Sequence, residues 1–392
     1  KKKEEQNKNN QEIYVGGQKE LNGVIEKEGL KPVVYCLISI LESSLKYGNY
    51  GETSVILKEL KRIIPELENI EAFRISPSEF NNIHLNQVKD FIESILEKVW
   101  PEEFEGKKYA AIGDLHGNLE GLRKTLQKLE LIDEKDHWNG KDKVLILMGD
   151  YFDRGRQGKE IYRYLDELDK EAQSQNGKVI RLLGNHELEW MRRLYQLWKE
   201  EKGYIKGRLA MGGFDDFEGI EGIGGAERLK KDILEGKLKA CYVIGGRIFV
   251  HAGITPEIVR EIADKRNKKI EKLSLEEIAE ELNYRLIKAV RNNDYSDRIF
   301  DIGKARGGKK DIGGIFWVDY YEELLKYNED KLIPQVIGHT PSLSGEIEWS
   351  SEKRIIKIDT GITPYYGGNL SAIVGDEKGK ICLLYTSPSP RD

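Results

Sequence analysis

Cysteine is scarce in this 392-residue chain: Cys36, Cys241 and Cys382 lie far apart and never in CxxC spacing. That excludes a disulfide framework and a zinc ribbon, and it points to a reducing compartment. No apolar run reaches the roughly 18 to 20 residues that a membrane-crossing helix needs. The charged opening, Lys1 to Asn10, has no apolar stretch of the secretory kind behind it. The expectation is a soluble, cytoplasmic protein without a membrane span. Excess positive charge is missing too. With a formal net charge of -5 and a pI near 5.9, no nucleic acid binding is expected, because coating nucleic acid needs a dense basic face. No internal repeat is visible.

What is present changes character along the chain. Residues 1–13 are polar and too poor in apolar surface to offset ordering entropy, so a disordered tail is expected there. Over 14–104 the apolar residues recur at helical spacing, as in Val34, Leu37, Ile38 and Leu41 or Phe91, Ile92, Ile95 and Leu96, with Gly48, Gly51 and Pro65 as breakers. This predicts a helical N-terminal region. Over 105–385, short apolar runs (Tyr109 to Ile112, Val144 to Met148, Val179 to Leu183) alternate with helical stretches (Leu119 to Leu131, Gln157 to Ala172, Leu188 to Lys199). Such alternation predicts an α/β fold on a mainly parallel sheet. Gly245-Gly246 predicts a hairpin joining Cys241 to Ile244 with Arg247 to Val250. A polar helix is expected from Ser274 to Ala289, then a Gly, Lys and Arg-rich loop over 292–314. Further strands are expected at Pro334 to Ile337, Arg354 to Ile358, Leu370 to Val374 and Ile381 to Tyr385. Charge runs such as Lys230-Lys231-Asp232 read as solvated faces. Asp136 to Asp142 reads as a surface insertion. Residues 386–392, Thr-Ser-Pro-Ser-Pro-Arg-Asp, read as a tail of cloning or assembly origin.

Three segments sit where strand-like runs give way to polar turns: Gly113-Asp114-Leu115-His116-Gly117, Gly149-Asp150-Tyr151-Phe152-Asp153-Arg154-Gly155 and Gly184-Asn185-His186-Glu187. In a parallel sheet such positions are the carboxyl ends of strands, where ligands bind. Asp114 and His116 flank Leu115 and can turn toward one cation, while the two oxygens of Asp150 can bridge two. Asn185 offers an amide oxygen to the second cation, and His251 and His339, each after an apolar run, complete its shell. Oxygen and nitrogen donors without sulfur suit Mn, Fe or Zn. The expectation is two divalent or trivalent metal ions and metal-assisted hydrolysis of a phosphate ester. Of the six histidines, His84 and His137 lack such surroundings and are assigned to surface or helix.

The series GDLHG, GDYFDRG, GNHE, VHAG and GHTP, spread over about Lys107 to Asp359, resembles the calcineurin-like metallophosphoesterase superfamily. The GDYFDRG form is similar to its phosphoprotein phosphatase branch, and Leu183, where eukaryotic members carry a basic residue, to the bacterial-like side. The resemblance implies a four-layer sandwich of two mixed sheets flanked by helices. It implies that Asp114, His116 and Asp150 hold one metal, and that Asp150, Asn185, His251 and His339 hold the other. A hydroxide activated by both metals then attacks phosphorus in line, without a covalent phosphoenzyme. His186 donates the leaving-group proton, Asp153 is its partner, and Arg154 and Asn185 bind substrate phosphate.

Several readings stay open. Asp153 and Arg154 are either site residues or a surface ion pair, and Arg181 is a weaker candidate for the same cleft. Arg306 is either a second phosphate clamp or solvated, since relatives place an arginine after a tryptophan where this chain has Trp317-Val318-Asp319. Trp317 itself reads as core, and Glu187 as ordering the motif's backbone. The substrate is expected to be a phosphorylated protein, through phosphoserine or phosphothreonine, or a small phosphate ester. The alternatives are hydrolysis of a dinucleoside polyphosphate or cyclic nucleotide, and a catalytically silent scaffold.

Overall fold

The computed structural model describes residues 30–64, 67, 70–89, 91–92, 108–200, 213–376 and 378–386. The expected tail at 1–13 and all of the expected tail at 386–392 except Thr386 lie outside these residues, as do Ile95 and Leu96; Thr386 instead ends a strand. The chain divides into two compact units, Lys1–Glu102 and Glu103–Asp392. In the first, α1 (Leu30–Lys46) and α2 (Tyr50–Ile63) pack as an antiparallel-type helix pair closed by a third helical stretch at 82–89. Asn49 starts α2 by accepting the Glu52 N–H on its side chain, which satisfies one of the donors a helix N-terminus leaves free. Val34, Leu37, Ile38 and Leu41 meet Ile56, Leu57 and Leu60 and, from the third stretch, Leu85 and Val88 in one core. The heptad-like apolar spacing of the sequence is what puts them on one side.

The second unit holds two sheets. The first runs in the order β11-β10-β1-β2-β3-β4, built from β1 (Tyr109–Ile112), β2 (Val144–Leu147), β3 (Lys178–Leu182), β4 (Leu238–Lys239), β10 (Leu370–Gly375) and β11 (Ile381–Thr386). Strands β1 to β4 are parallel, and β10 and β11 add antiparallel. The second sheet, in the order β5-β6-β7-β9-β8, contains β5 (Cys241–Ile244), β6 (Arg247–Val250), β7 (Gln335–Ile337), β8 (Glu348–Trp349) and β9 (Ile355–Lys357). Here β6, β7 and β9 are parallel, with antiparallel edges. Ala111, Ile146 and Leu182 of one sheet share a core with Phe249, Val336 and Ile356 of the other. Strands buried on both faces explain why their sequences are continuous apolar runs and not alternating ones. Helices α3 (Leu119–Lys128) and α4 (Gly158–Ser174) cover β10 and β3 of the first sheet, and the helix Leu275–Asn292 lies against β5 and β6 of the second. The expected four layers of helix, sheet, sheet and helix result.

The hairpin at Gly245-Gly246 pairs Cys241 with Val250 and Ile244 with Arg247, as expected. Helix α5 (Asn185–Glu189) begins at the GNHE motif, three residues before the expected start, and continues through a π-turn (Trp190–Leu194) into Tyr195–Glu200. Three helices went unforeseen: α6 (Phe217–Ile223), α7 (Gly225–Leu234) and α8 (Pro256–Lys265). The polar helix is present as α9 (Leu275–Asn292), opened by a Ser274–Glu277 capping box.

One expectation about a charged residue needs correcting. Asp232 is not on a solvated face: it is buried, accepting the Tyr162 hydroxyl at 2.7 Å and the Arg228 Nε at 2.9 Å. Arg228 lies one helical turn before it, a spacing that brings their side chains together. In the Asp136 to Asp142 insertion, Trp138 is buried and its indole N–H donates to the Lys141 carbonyl. Among the described residues, no helix is long and apolar enough to cross a membrane.

Candidate metal centre

Five of the six expected donors follow strand ends that converge on one edge of the two facing sheets. Asp114 and His116 follow β1, Asp150 follows β2, His251 follows β6 and His339 follows β7; Asn185 opens α5 just past β3. All six are buried. The backbone turns sharply to aim them: His116, Asp150 and His339 have φ of 42°, 53° and 65°, and Asp153 and Arg154 both have 68°. Left-handed conformations in non-glycine residues cost about 1 kcal/mol or more each and persist only where the surroundings enforce them. Two glycines let the loops approach closely. A Cβ on Gly184 would stand 2.1 Å from Asp150 Oδ1, and one on Gly338 would stand 2.3 Å from Asp114 Oδ1.

Donor atoms come together in two groups, His116 with Asp150 and His186, and Asp150 with His251 and His339, each within 4.8 Å. Asp150 belongs to both. Its Oδ2 lies 3.4 Å from His251 Nε2 and 3.6 Å from His116 Nε2. Asn185 Oδ1 lies 2.9 Å from His251 Nε2 and 2.8 Å from His339 Nδ1. Asp114 falls in neither group, although its Oδ1 is 4.0 Å from His251 Nδ1 and its carboxylate accepts the His339 N–H at 3.0 Å. Around the donors, His116 Nδ1 contacts the Phe152 carbonyl at 3.0 Å and His251 Nδ1 the Met148 carbonyl at 2.7 Å. Such contacts fix ring orientation and leave the opposite nitrogen for a ligand.

The electrostatics fit cations. Burial pushes His116 down to about 4. Burial, and next the Arg306 charge, hold His339 well below the usual imidazole range. Both rings are thus neutral near pH 7, as metal ligation requires. Burial also disfavours a charged His251, but the Asp150 and Asp114 carboxylates outweigh it and lift the group to about 10. Carboxylates this deeply buried are stable only beside positive charge. A pair of hard or borderline metal ions satisfies that demand with the oxygen and nitrogen donors at hand.

Beside the donors stands a second unit. His186 Nδ1 is 2.6 Å from Asp153 Oδ2, and Asp153 is wholly buried. Burial opposes the imidazolium, yet Asp150 and then the Asp153 hydrogen bond outweigh it, so the His186 pKa is raised. The Asp153–Arg154 pair is no surface ion pair: Asp153 faces His186, while Arg154 Nε donates to the Tyr366 hydroxyl at 3.0 Å and its guanidinium lies over the Tyr365 ring. Glu187 accepts the backbone N–H groups of Asp150, Tyr151 and Gly184 at 2.7 to 3.0 Å, tying the second motif to the third.

Arg306 stands beside His339, with Nη2 2.9 Å from both Thr340 Oγ1 and Asp319 Oδ2. Asp319, two residues after Trp317, thus holds an arginine from another loop. Trp317 is buried with its ring nearly perpendicular to that of His339, centroids 5.9 Å apart. Arg181 is not in the cleft; it is buried over the Tyr162 ring and 3.0 Å from Asp166 of α4. Its strand position points it at the helical layer and away from the strand ends. Sequence reasoning missed Phe214, stacked on His186, along with Tyr365 and Tyr366. Nothing in their local patterns marks them: Phe214 lies in a loop and the two tyrosines in a single 3-10 turn, Pro364–Tyr366.

Fold and donor set together define a metal-dependent phosphoesterase centre. The chain belongs to the calcineurin-like phosphoesterase family, whose model matches residues 107–360. It is 48% identical over 80 residues to Shewanella-like protein phosphatase 1 of Plasmodium berghei (strain Anka), covering 20% of this chain and 22% of that one. It is 27% identical over 202 residues to Shewanella-like protein phosphatase 2 of Arabidopsis thaliana, covering 42% and 51%. The chain therefore spans about a fifth and about half the length of these two relatives. Among solved structures, it is similar to the cold-active protein-tyrosine phosphatase of a psychrophilic Shewanella species, at a TM-score of 0.47 and 20% identity over 71% of this chain and 80% of that one.

Proposed function

We propose that the protein is a phosphomonoester hydrolase acting on phosphorylated proteins, at phosphoserine and phosphothreonine, through two metal ions. The observation that carries this reading is Asp150, shared by two donor groups, with the His186–Asp153 pair beside it. Asp114, His116 and Asp150 would hold one cation, and Asp150, Asn185, His251 and His339 the other. The bound pair supplies positive charge that lowers the pKa of water and neutralises phosphoryl oxygens.

The chain's own residues do the rest. Asp153 occupies His186 Nδ1, so the transferable proton is held at Nε2, which faces the Asp150 side of the cleft at 4.0 Å. That proton goes to the departing alkoxide, which is too basic to leave unaided. Arg154, held by Tyr366 and Tyr365, would grip phosphate oxygens with its fork, and Arg306 would supply a second fork near His339. Asn185 would serve both the second cation and substrate phosphate.

A protein substrate is favoured over a nucleotide because the rings at the site are engaged. Phe214 covers His186, Tyr366 holds Arg154 and Trp317 abuts His339. Among the described residues near the donors, Tyr365 presents the only largely exposed ring, too little to sandwich a base. The relatives' names, protein phosphatases, support the same class.

The test is turnover after chelation and manganese addition on phosphopeptides, an aryl phosphate and diadenosine tetraphosphate. Manganese should restore phosphopeptide hydrolysis. Turnover confined to the dinucleotide would overturn the substrate class, and retained metal without turnover of any phosphate ester would favour the scaffold reading. Within that assay Arg154→Ala should raise the phosphopeptide KM roughly 10- to 100-fold, the loss expected for one charge-assisted contact of about 1.5–3 kcal/mol. Arg154→Lys should recover only part of it, since a point charge cannot grip two oxygens; an unchanged KM in Arg154→Ala removes Arg154 from the site.

A further inference from the structure

We infer that Phe214 is a positioning residue for the proton donor, and that Phe214-Asp215-Asp216 works as one brace on the His186–Asp153 pair. The inference rests on the reading of His186 as that donor.

The Phe214 ring lies on the face of His186, with centroids 4.5 Å apart and planes 28° from parallel. The His116 ring stands nearly perpendicular to the same imidazole, with centroids 4.8 Å apart and planes at 80°. One ring against its face and a second at right angles to it restrain the turning of His186 about its Cβ–Cγ bond. The two residues after Phe214 hold the other half of the pair. The backbone N–H groups of Asp215 and Asp216 both donate to Asp153 Oδ1, at 2.7 and 2.8 Å. Trp190 Nε1 donates to Asp153 Oδ2 at 2.9 Å, the oxygen that also meets His186 Nδ1. The side chain of Asp215 then accepts the backbone N–H of Arg154 at 3.1 Å. One tripeptide therefore fixes the imidazole from its face and the carboxylate from its far oxygen. Asp216 also caps α6 by accepting the Gly219 N–H, which anchors the brace to a helix.

Proton donation matters in proportion to how poor the leaving group is. A nitrophenolate departs without a proton, whereas a serine alkoxide does not. Loss of aim at Nε2 should thus damage the second reaction and spare the first. A small misplacement of a catalytic group is worth up to about 100-fold.

The experiment compares wild type, His186→Asn, Phe214→Ala, Phe214→Leu and Phe214→Tyr in the full chain loaded with manganese. Each is assayed on p-nitrophenyl phosphate and on a phosphoserine peptide, with bound metal measured by elemental analysis. Phe214→Ala and Phe214→Leu should lose roughly 10- to 100-fold in kcat on the peptide, with little change on the nitrophenyl ester, an unchanged peptide KM and full metal content. Phe214→Tyr, which keeps the flat ring, should restore the peptide rate. Phe214→Leu keeps apolar bulk at this half-buried position, so it remains informative if Phe214→Ala folds poorly. Equal losses on both substrates in Phe214→Leu, or a wild-type peptide rate, overturn the inference while a selective loss in His186→Asn leaves the donor reading standing. If His186→Asn itself shows no preference between the substrates, the donor reading fails and this one with it.

Discussion

Replacing Asp150 with asparagine is expected to abolish manganese-dependent turnover, by roughly a thousandfold or more. Asp150 is the one residue common to both donor groups. Its removal weakens both cations at once, and each cation's charge stabilisation in the transition state is worth several kcal/mol. The fold should survive the change. Asparagine keeps the shape and an oxygen to accept the His186 backbone N–H, which Asp150 Oδ1 accepts at 3.0 Å. In the metal-free protein the change should cost stability, because the buried charge on His251 loses its main carboxylate partner. What should disappear is the rise in melting temperature on adding manganese, because a ligand stabilises only to the extent that it binds the folded state. Calorimetry with and without manganese separates the two effects. A wild-type manganese-dependent shift together with wild-type turnover in Asp150→Asn would show that the carboxylate is not a shared ligand.

His186→Asn should lower kcat on phosphopeptides by about 10² to 10⁴, the range for a positioned general acid, while manganese still raises the melting temperature. The distinction from Asp150→Asn is the point of the pair: one variant loses metal and rate, the other rate alone. His186 is near enough to His116 and Asp150 to be counted with them as a donor. Its Nδ1 is occupied by Asp153 at 2.6 Å, however, and its Nε2 stands 4.0 Å from Asp150 Oδ2, farther than either His116 or His251. Loss of one equivalent of bound manganese in His186→Asn would assign it to ligation instead.

Much of the centre was legible before any coordinates, because its donors sit directly after strands. An apolar run followed by Gly-Asp or Gly-Asn is a local pattern, and a parallel sheet places all such strand ends on one side. The Gly245-Gly246 hairpin was legible for a similar reason: a two-residue turn is specified by the residues in it. Arg306 shows the other case. Its loop carries several lysines and glycines, and nothing local separates the arginine that meets Thr340 and Asp319 from its solvated neighbours. Arg181, three residues before a site glycine, was misplaced because strand residues alternate faces, and its face is the helical layer.

By itself the sequence determined the chemical identity of the donors, their order and the strands that end beside them, since composition and short-range periodicity encode these directly. Tertiary structure alone decided three further matters. The brace from Phe214 to Asp216 reaches Asp153 across some sixty positions. Lys357, in what reads as an apolar strand, is fully buried with its ammonium donating to the Thr340 carbonyl at 3.2 Å. Site residues sit at positive φ, which side-chain identity does not announce. In each case the contacts come from groups apart in the chain, and only the folded arrangement brings them within reach.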